Sequence, residues 1–150
     1  MELGNAEIKA KELINQYCPE YTFEWHNFKR LFGYCNWRKK TIALSKDLVL
    51  LNGEAEVLNT ILHEIAHALA PKEGHNKVWQ RQAISIGCTG RRCYSKDVIK
   101  PPAKYRGICP NCSIFIERLK RKNVACKWCC DKYSNHKYDI KYKLVWEKIK

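Results

Sequence analysis

The stretch that most constrains this chain is Leu62-His63-Glu64-Ile65-Ala66-His67-Ala68-Leu69, with His75 a short turn beyond it. On a helix of about 3.6 residues per turn, positions four apart share a face. His63 and His67 can therefore offer imidazole nitrogens to a single metal ion. Glu64 projects beside that pair, within reach of a water in the site but badly placed to be a third ligand on the same turn. Neutral nitrogens that hold zinc and a separate carboxylate that takes a proton from water are the parts of a hydrolytic zinc site. His75 as third ligand leaves one position free. Glu64 would remove the water proton and return it to the leaving amine. An oxyanion donor should complete the site, and the sequence does not identify it.

The helix around this motif is legible. Asn52 is the expected N-cap, Glu54 and Glu56 place negative charge in the first turn, and Leu58, Ile61, Leu62, Ile65 and Leu69 form an apolar stripe. Pro71 stops it, Lys72-Glu73-Gly74 turns the chain, and a second helix from about His75 to Ile86 brings His75 back towards His63 and His67. Upstream, residues 6–17 read as an amphipathic helix closed by Cys18-Pro19. Residues 21–26, a segment beginning at Gly33, and residues 41–45 read as strands, with Arg38-Lys39-Lys40 as a basic turn, so a small antiparallel sheet is expected.

The nine cysteines are an odd number, and Met1-Glu2-Leu3-Gly4-Asn5 begins polar rather than as an export signal. Reduced thiolates on a metal fit better than a disulfide framework. Cys109-x-x-Cys112 and Cys126-x-x-Cys129, 13 residues apart, read as two knuckles of a four-thiolate structural zinc, a zinc ribbon joined by an intervening hairpin. Cys130 is the alternative to Cys129. Cys18, Cys35, Cys88 and Cys93 read as ordinary thiols, and His26 and His136 lack ligand spacing. Two Zn²⁺ ions are thus expected, one catalytic and one structural. Residues 1–100 form the core domain and 101–150 the ribbon.

Charge is unevenly spread along the chain. Residues 1–70 hold 8 Lys/Arg against 9 Asp/Glu, whereas residues 71–150 hold 20 against 6. A basic half beside a neutral one points to a polyanionic partner. Around the ribbon, Arg118, Lys120, Arg121, Lys122 and Lys127 interleave with Phe115, Trp128 and Tyr133. Cations contact phosphates and exposed aromatics such as Trp128 stack on unpaired bases, so a nucleic acid with single-stranded character is the expected partner. No apolar run approaches the roughly 20 residues of a membrane span. A monomer in the cytoplasm, or in the nucleus of a eukaryote, is expected.

Gly33-Tyr34-Cys35, Ile42-Ala43-Leu44-Ser45, residues 60–69 and Gly74-His75-x-x-x-Trp79 together resemble a SprT-like metallopeptidase domain, and the cysteine module resembles the zinc ribbon that often follows it. The resemblance implies an α+β, zincin-like protease core followed by a β-rich ribbon. It further implies His63, His67 and His75 as ligands and Glu64 as catalytic residue, acting on proteins bound or crosslinked to DNA as Spartan-type proteases do. A nucleic-acid-binding zinc protein without proteolysis and a general cytosolic zinc peptidase are the other two readings.

Overall fold

The computed structural model describes residues 1–93 and 95–149. It divides into two compact units, Met1–Pro101 and Pro102–Lys150, and its class is α+β.

In the first unit, helix α1 (Leu3–Tyr17) buries Ala6, Ala10 and Ile14, a small-residue face that lets it lie close to its neighbours. Strands β1 (Thr22–His26), β2 (Gly33–Asn36) and β3 (Thr41–Ser45) form one sheet in the order β1-β3-β2. Every residue of β3 is buried, as befits a central strand covered on both faces. Pairing of β2 with β3 is antiparallel, but β1 runs parallel to β3, Phe23 opposite Ile42 and Trp25 opposite Leu44. The expectation of an antiparallel sheet is corrected here. The β2–β3 turn makes a local hairpin, and β3 then slots between β2 and β1, a non-local pairing that strand pattern alone does not specify.

Ser45 ends β3 and caps α2 (Lys46–Leu51), its hydroxyl oxygen accepting the Leu48 N–H at 3.3 Å. Helix α3 (Glu54–Leu69) follows, with Gly53 rather than Asn52 at its N-cap. Asn52 instead closes α2. Its buried amide donates to the Leu48 and Ile99 carbonyls at 2.8 Å and accepts the Ile99 N–H at 2.8 Å, tying the end of the unit to its middle. Val57, Ile61 and Ile65 of α3 pack with Phe32, Ile42, Leu44, Leu48 and the α1 face in one core. Helix α4 (Lys77–Ser85) is capped by Asn76, whose side-chain oxygen accepts the Val78 and Trp79 N–H groups at 2.9 and 3.1 Å.

The second unit holds β4 (Tyr105–Ile108), β5 (Phe115–Arg118) and β6 (Val145–Lys148) in an antiparallel sheet of order β5-β4-β6, with helix α5 (Lys127–Tyr133) and a 3-10 turn at Ile140–Tyr142. A Cβ on Gly107 would stand 3.0 Å from the Trp146 ring, so only glycine lets that indole lie across the central strand. The buried core is small: Leu144 and three cysteines, with Ile116, Val124 and Trp146 packed against them.

Candidate metal centres and catalytic site

Four turns of α3 place His63 and His67 one above the other, as spacing requires. The turn after α3, with Lys72 and Gly74 at φ 70° and 59°, then reverses the chain so that His75 faces them just before the Asn76 cap. The three Nε2 atoms converge: His63 to His75 is 3.0 Å and His67 to His75 is 3.1 Å. Nitrogens arranged tetrahedrally around zinc at about 2.0–2.1 Å stand about 3.4 Å apart, so the donor set fits that ion. His63 is buried, His67 half-buried and His75 exposed, which leaves the group open on one side.

Burial first, then the neighbouring imidazoles, hold His63 at about 4, and burial and His75 do the same for His67. His75 is lowered too, by burial and by Arg92. All three rings are therefore neutral and able to ligate at pH 7. A hydrogen bond to the Arg91 backbone orients His63 from its far side.

Glu64, next to His63 on α3, packs against β2 and lines the same cleft as the three histidines. It is 5% exposed, and burial pushes its carboxyl up to about 8, opposed by the Cys35 backbone N–H that it accepts. Its room comes from Gly33. A Cβ there would lie 2.9 Å from Glu64 Cγ and 3.2 Å from both Glu64 Oε1 and the Ala43 carbonyl oxygen. Gly33 was visible in the sequence as part of a motif, but its reason is steric and needs the fold.

Trp79 is the other residue that sequence reasoning left without a role. It is 1% exposed, stacks on His67 with centroids 5.1 Å apart, and meets His63 and His75 edge-on at 4.7 and 4.6 Å. One indole thus backs all three imidazoles. Its position four residues after His75, on a capped helix, is the signal that could have revealed it. The cleft over the histidines, about 620 Å³, is also lined by Leu31, Tyr34, Cys35, Trp37, Lys72, Arg92, Cys93 and Lys100.

The second centre forms in the other unit. The first knuckle is itself the turn of the β4–β5 hairpin, and the second opens α5 with Cys126 as its N-cap. The expectation of a hairpin between the knuckles is therefore corrected: the β4–β5 hairpin carries the first pair at its tip, and a helix carries the second. Cys109, Cys112, Cys126 and Cys129 converge, with Sγ separations of 3.7 Å for Cys109–Cys129 and 3.6 Å for Cys112–Cys126. Thiolates at about 2.3 Å from zinc stand about 3.8 Å apart, so this set fits as well. Cys130 is buried but outside the group. Burial raises the Cys109 thiol, but the Cys112 and Asn111 backbone N–H groups outweigh it and bring it down to about 7.

Of the candidate nucleic-acid residues, Arg118, Lys122, Lys127 and Trp128 line one groove of about 610 Å³ whose floor includes Ile116, Val124, Leu144 and Trp146. Lys120 and Arg121 lie outside it, and the Arg121 guanidinium rests on the Tyr105 ring at 5.0 Å. Trp128 is 48% exposed, with the Lys132 ammonium 4.8 Å from its ring centroid. Among the described residues no helix is long and apolar enough to cross a membrane.

Two solved structures are similar to parts of this chain. The metallopeptidase zymogen abylysin of Pyrococcus abyssi aligns with a TM-score of 0.43 and 22% identity, over 53% of this chain and 74% of that one. The metallopeptidase zymogen jannalysin of Methanocaldococcus jannaschii aligns with a TM-score of 0.47 and 19% identity, over 62% and 85%. No curated protein matches the chain. The SprT-like family profile matches residues 6–98, from the first turn of α1 through both histidine-bearing segments, and on that match the chain belongs to the SprT-like family.

Proposed function

We propose that this protein is a zinc metallopeptidase that hydrolyses proteins bound or crosslinked to DNA. The observation that carries the peptidase reading is the convergence of the His63, His67 and His75 Nε2 atoms beside the buried Glu64 carboxyl. Zinc held there would act as a Lewis acid on a peptide carbonyl and acidify a water. Glu64, fixed between Gly33 and the Cys35 N–H, would accept the proton of the attacking water as a carboxylate, the form that a cation in the site favours over the neutral one, and pass it to the departing amine. The three neutral imidazoles hold the metal, and Trp79 keeps their planes in place. Cys109, Cys112, Cys126 and Cys129 hold a second, structural zinc.

The DNA-directed part rests on the second unit. Its 13 Lys/Arg against 4 Asp/Glu give it a net charge of +9. Arg118, Lys122 and Lys127 suit phosphates, and the Trp128 and Trp146 faces in the same groove suit an unpaired base.

The test compares wild type with Glu64→Gln on a protein crosslinked to single-stranded DNA, with zinc stoichiometry measured on both. Wild type is expected to cleave and the variant to lose about 10²–10⁴-fold in rate while each binds two zinc ions. A wild type that binds DNA but cleaves nothing would leave a nucleic-acid-binding zinc protein. Cleavage of free and DNA-bound protein at one rate, with binding that is weak and indifferent to salt, would leave a general peptidase.

A further inference from the structure

The cleft above the histidines has a one-sided charge. Lys72, Arg92 and Lys100 line it, and among the described residues the sole acid in its walls is Glu64, which is buried. None of the three cations is in an ion pair among the described residues. The carboxylates nearest in sequence are occupied elsewhere: Glu73 accepts from the Asn76 amide at 2.6 Å, and Asp97 from the Ser95 hydroxyl at 3.3 Å. The cations are also distributed rather than clustered. Lys72 sits in the α3–α4 turn with its ammonium 5.1 Å from the Trp37 ring centroid, and Arg92 lines the cleft from the segment after α4. Lys100 comes from the segment that Asn52 ties down through Ile99. The rest of the wall is a strand edge with Leu31, Tyr34 and Trp37, surfaces suited to a polypeptide.

We infer that this cleft selects polypeptide segments carrying acidic residues on either side of the scissile bond, with Lys72, Arg92 and Lys100 as the residues that determine this preference. The inference rests on the peptidase reading and adds a substrate class to it. Unpaired cations around a cleft with low-dielectric walls focus a positive potential into it, which raises the local concentration of anionic ligand and disfavours cationic ones. Each such contact is partly exposed, so each contributes modestly. Together they separate acidic from basic peptides by on the order of tenfold at low salt, and less as the screening length shrinks.

The experiment uses the full zinc-loaded chain and three quenched fluorescent peptides of one sequence, differing only in acidic, neutral or basic residues flanking the central bond. The expected order of kcat/KM is acidic, neutral, basic, compressed at high salt, and inverted in the double variant Lys72→Glu, Arg92→Glu. Lys100→Glu alone should narrow the gap. Equal rates for the three peptides, or a preference that the double variant leaves unmoved, would overturn the inference while leaving the peptidase reading intact. If no free peptide is cleaved, binding of the same peptides to Glu64→Gln by fluorescence anisotropy reads the charge preference, while the DNA-crosslinked protein decides the peptidase reading separately. Inhibition by a short single-stranded oligonucleotide that the double variant relieves would assign the cations to phosphate and overturn the peptide assignment.

Discussion

Both centres of this chain gather donor atoms around one point, but they differ in closure. The cysteine set has four sulfurs, three of its residues buried, and knuckle backbone aimed at the sulfurs. The histidine set has three nitrogens graded from buried His63 to exposed His75, and a carboxyl at its side that is not a donor. A closed four-donor set has nothing left to offer a substrate and lends its binding energy to folding, whereas an open three-donor set keeps a position for chemistry. The surroundings agree. Around the sulfurs the apolar core is too small to fold a 49-residue unit unaided, while His63 and His67 sit on a helix already anchored by Val57, Ile61 and Ile65.

The sharpest way to break this contrast is Cys126→Ser. Zinc in a four-thiolate site contributes about 10–16 kcal/mol to the folding of small metal-dependent domains, and losing one ligand forfeits much of it. Zinc stoichiometry should fall from two to one, and the amide resonances of Pro102–Lys150 should collapse towards random-coil shifts while those of Met1–Pro101 persist. Collapse of both sets would show that the first unit is not self-supporting.

The two centres were also unequally legible. The cysteine pairs follow from C-x-x-C in tight turns and the His63–His67 pair from i, i+4 on a helix, because these are local geometries, whereas His75 joins only through the turn after α3. Non-local geometry was hidden. Nothing in residues 22–26 and 41–45 says that these strands run parallel, and α2, at six residues, is too short for periodicity to declare it. Asn52 reads as an N-cap because its residue type suits one, but an amide can also serve two backbone strands at once, and its buried bonds to Leu48 and Ile99 win.

Gly33→Ala tests the catalytic side without touching a ligand. The added methyl would meet Glu64 Cγ at 2.9 Å, and the Ala43 carbonyl at 3.2 Å blocks retreat into the sheet. Overpacking of this kind costs about 1–3 kcal/mol, and a carboxyl displaced by about 1 Å costs on the order of 100-fold in rate. The variant should keep both zinc ions, with the loss in kcat rather than KM. Unchanged kcat would mean that Glu64 does not need its place against β2.

Glu64 also leaves a mark on stability when metal is removed. Its folded pKa of about 8 lies above the ordinary 4.5. The neutral form therefore stabilises the fold fully below about pH 4.5, and that stability is lost as pH rises through about 8. His63 and His67, lowered to about 4, have the opposite sense: the fold weakens as pH falls from about 6.5 towards 4. Glu64→Gln removes the first effect and leaves the second. The metal-free variant should gain on metal-free wild type between pH 5 and 8, by at most about 1.4 kcal/mol per pH unit. Thermal melts in chelator across that range measure the difference, in which the histidine effects cancel. A constant difference would show that Glu64 is ionised in the fold throughout.

Trp79→Phe should have the smallest effect on stability and the most informative one on the open centre. Trimming the indole removes about 40 Å³ of buried volume, which costs about 1 kcal/mol at 24 cal/mol per Å³. The indole N–H is buried without a hydrogen-bond partner among the described residues, and removing such a group returns about 1–3 kcal/mol. The two effects oppose, so the melting temperature should hardly move or should rise slightly. Zinc affinity should still fall severalfold, because phenylalanine cannot reach His63, His67 and His75 together as the larger ring does at 4.7, 5.1 and 4.6 Å. Competition with a chromophoric chelator resolves that loss, with the cysteine site as internal standard. If the weaker zinc keeps its affinity in the variant, the indole is packing alone, and the open centre draws its rigidity from α3 and the Asn76 cap.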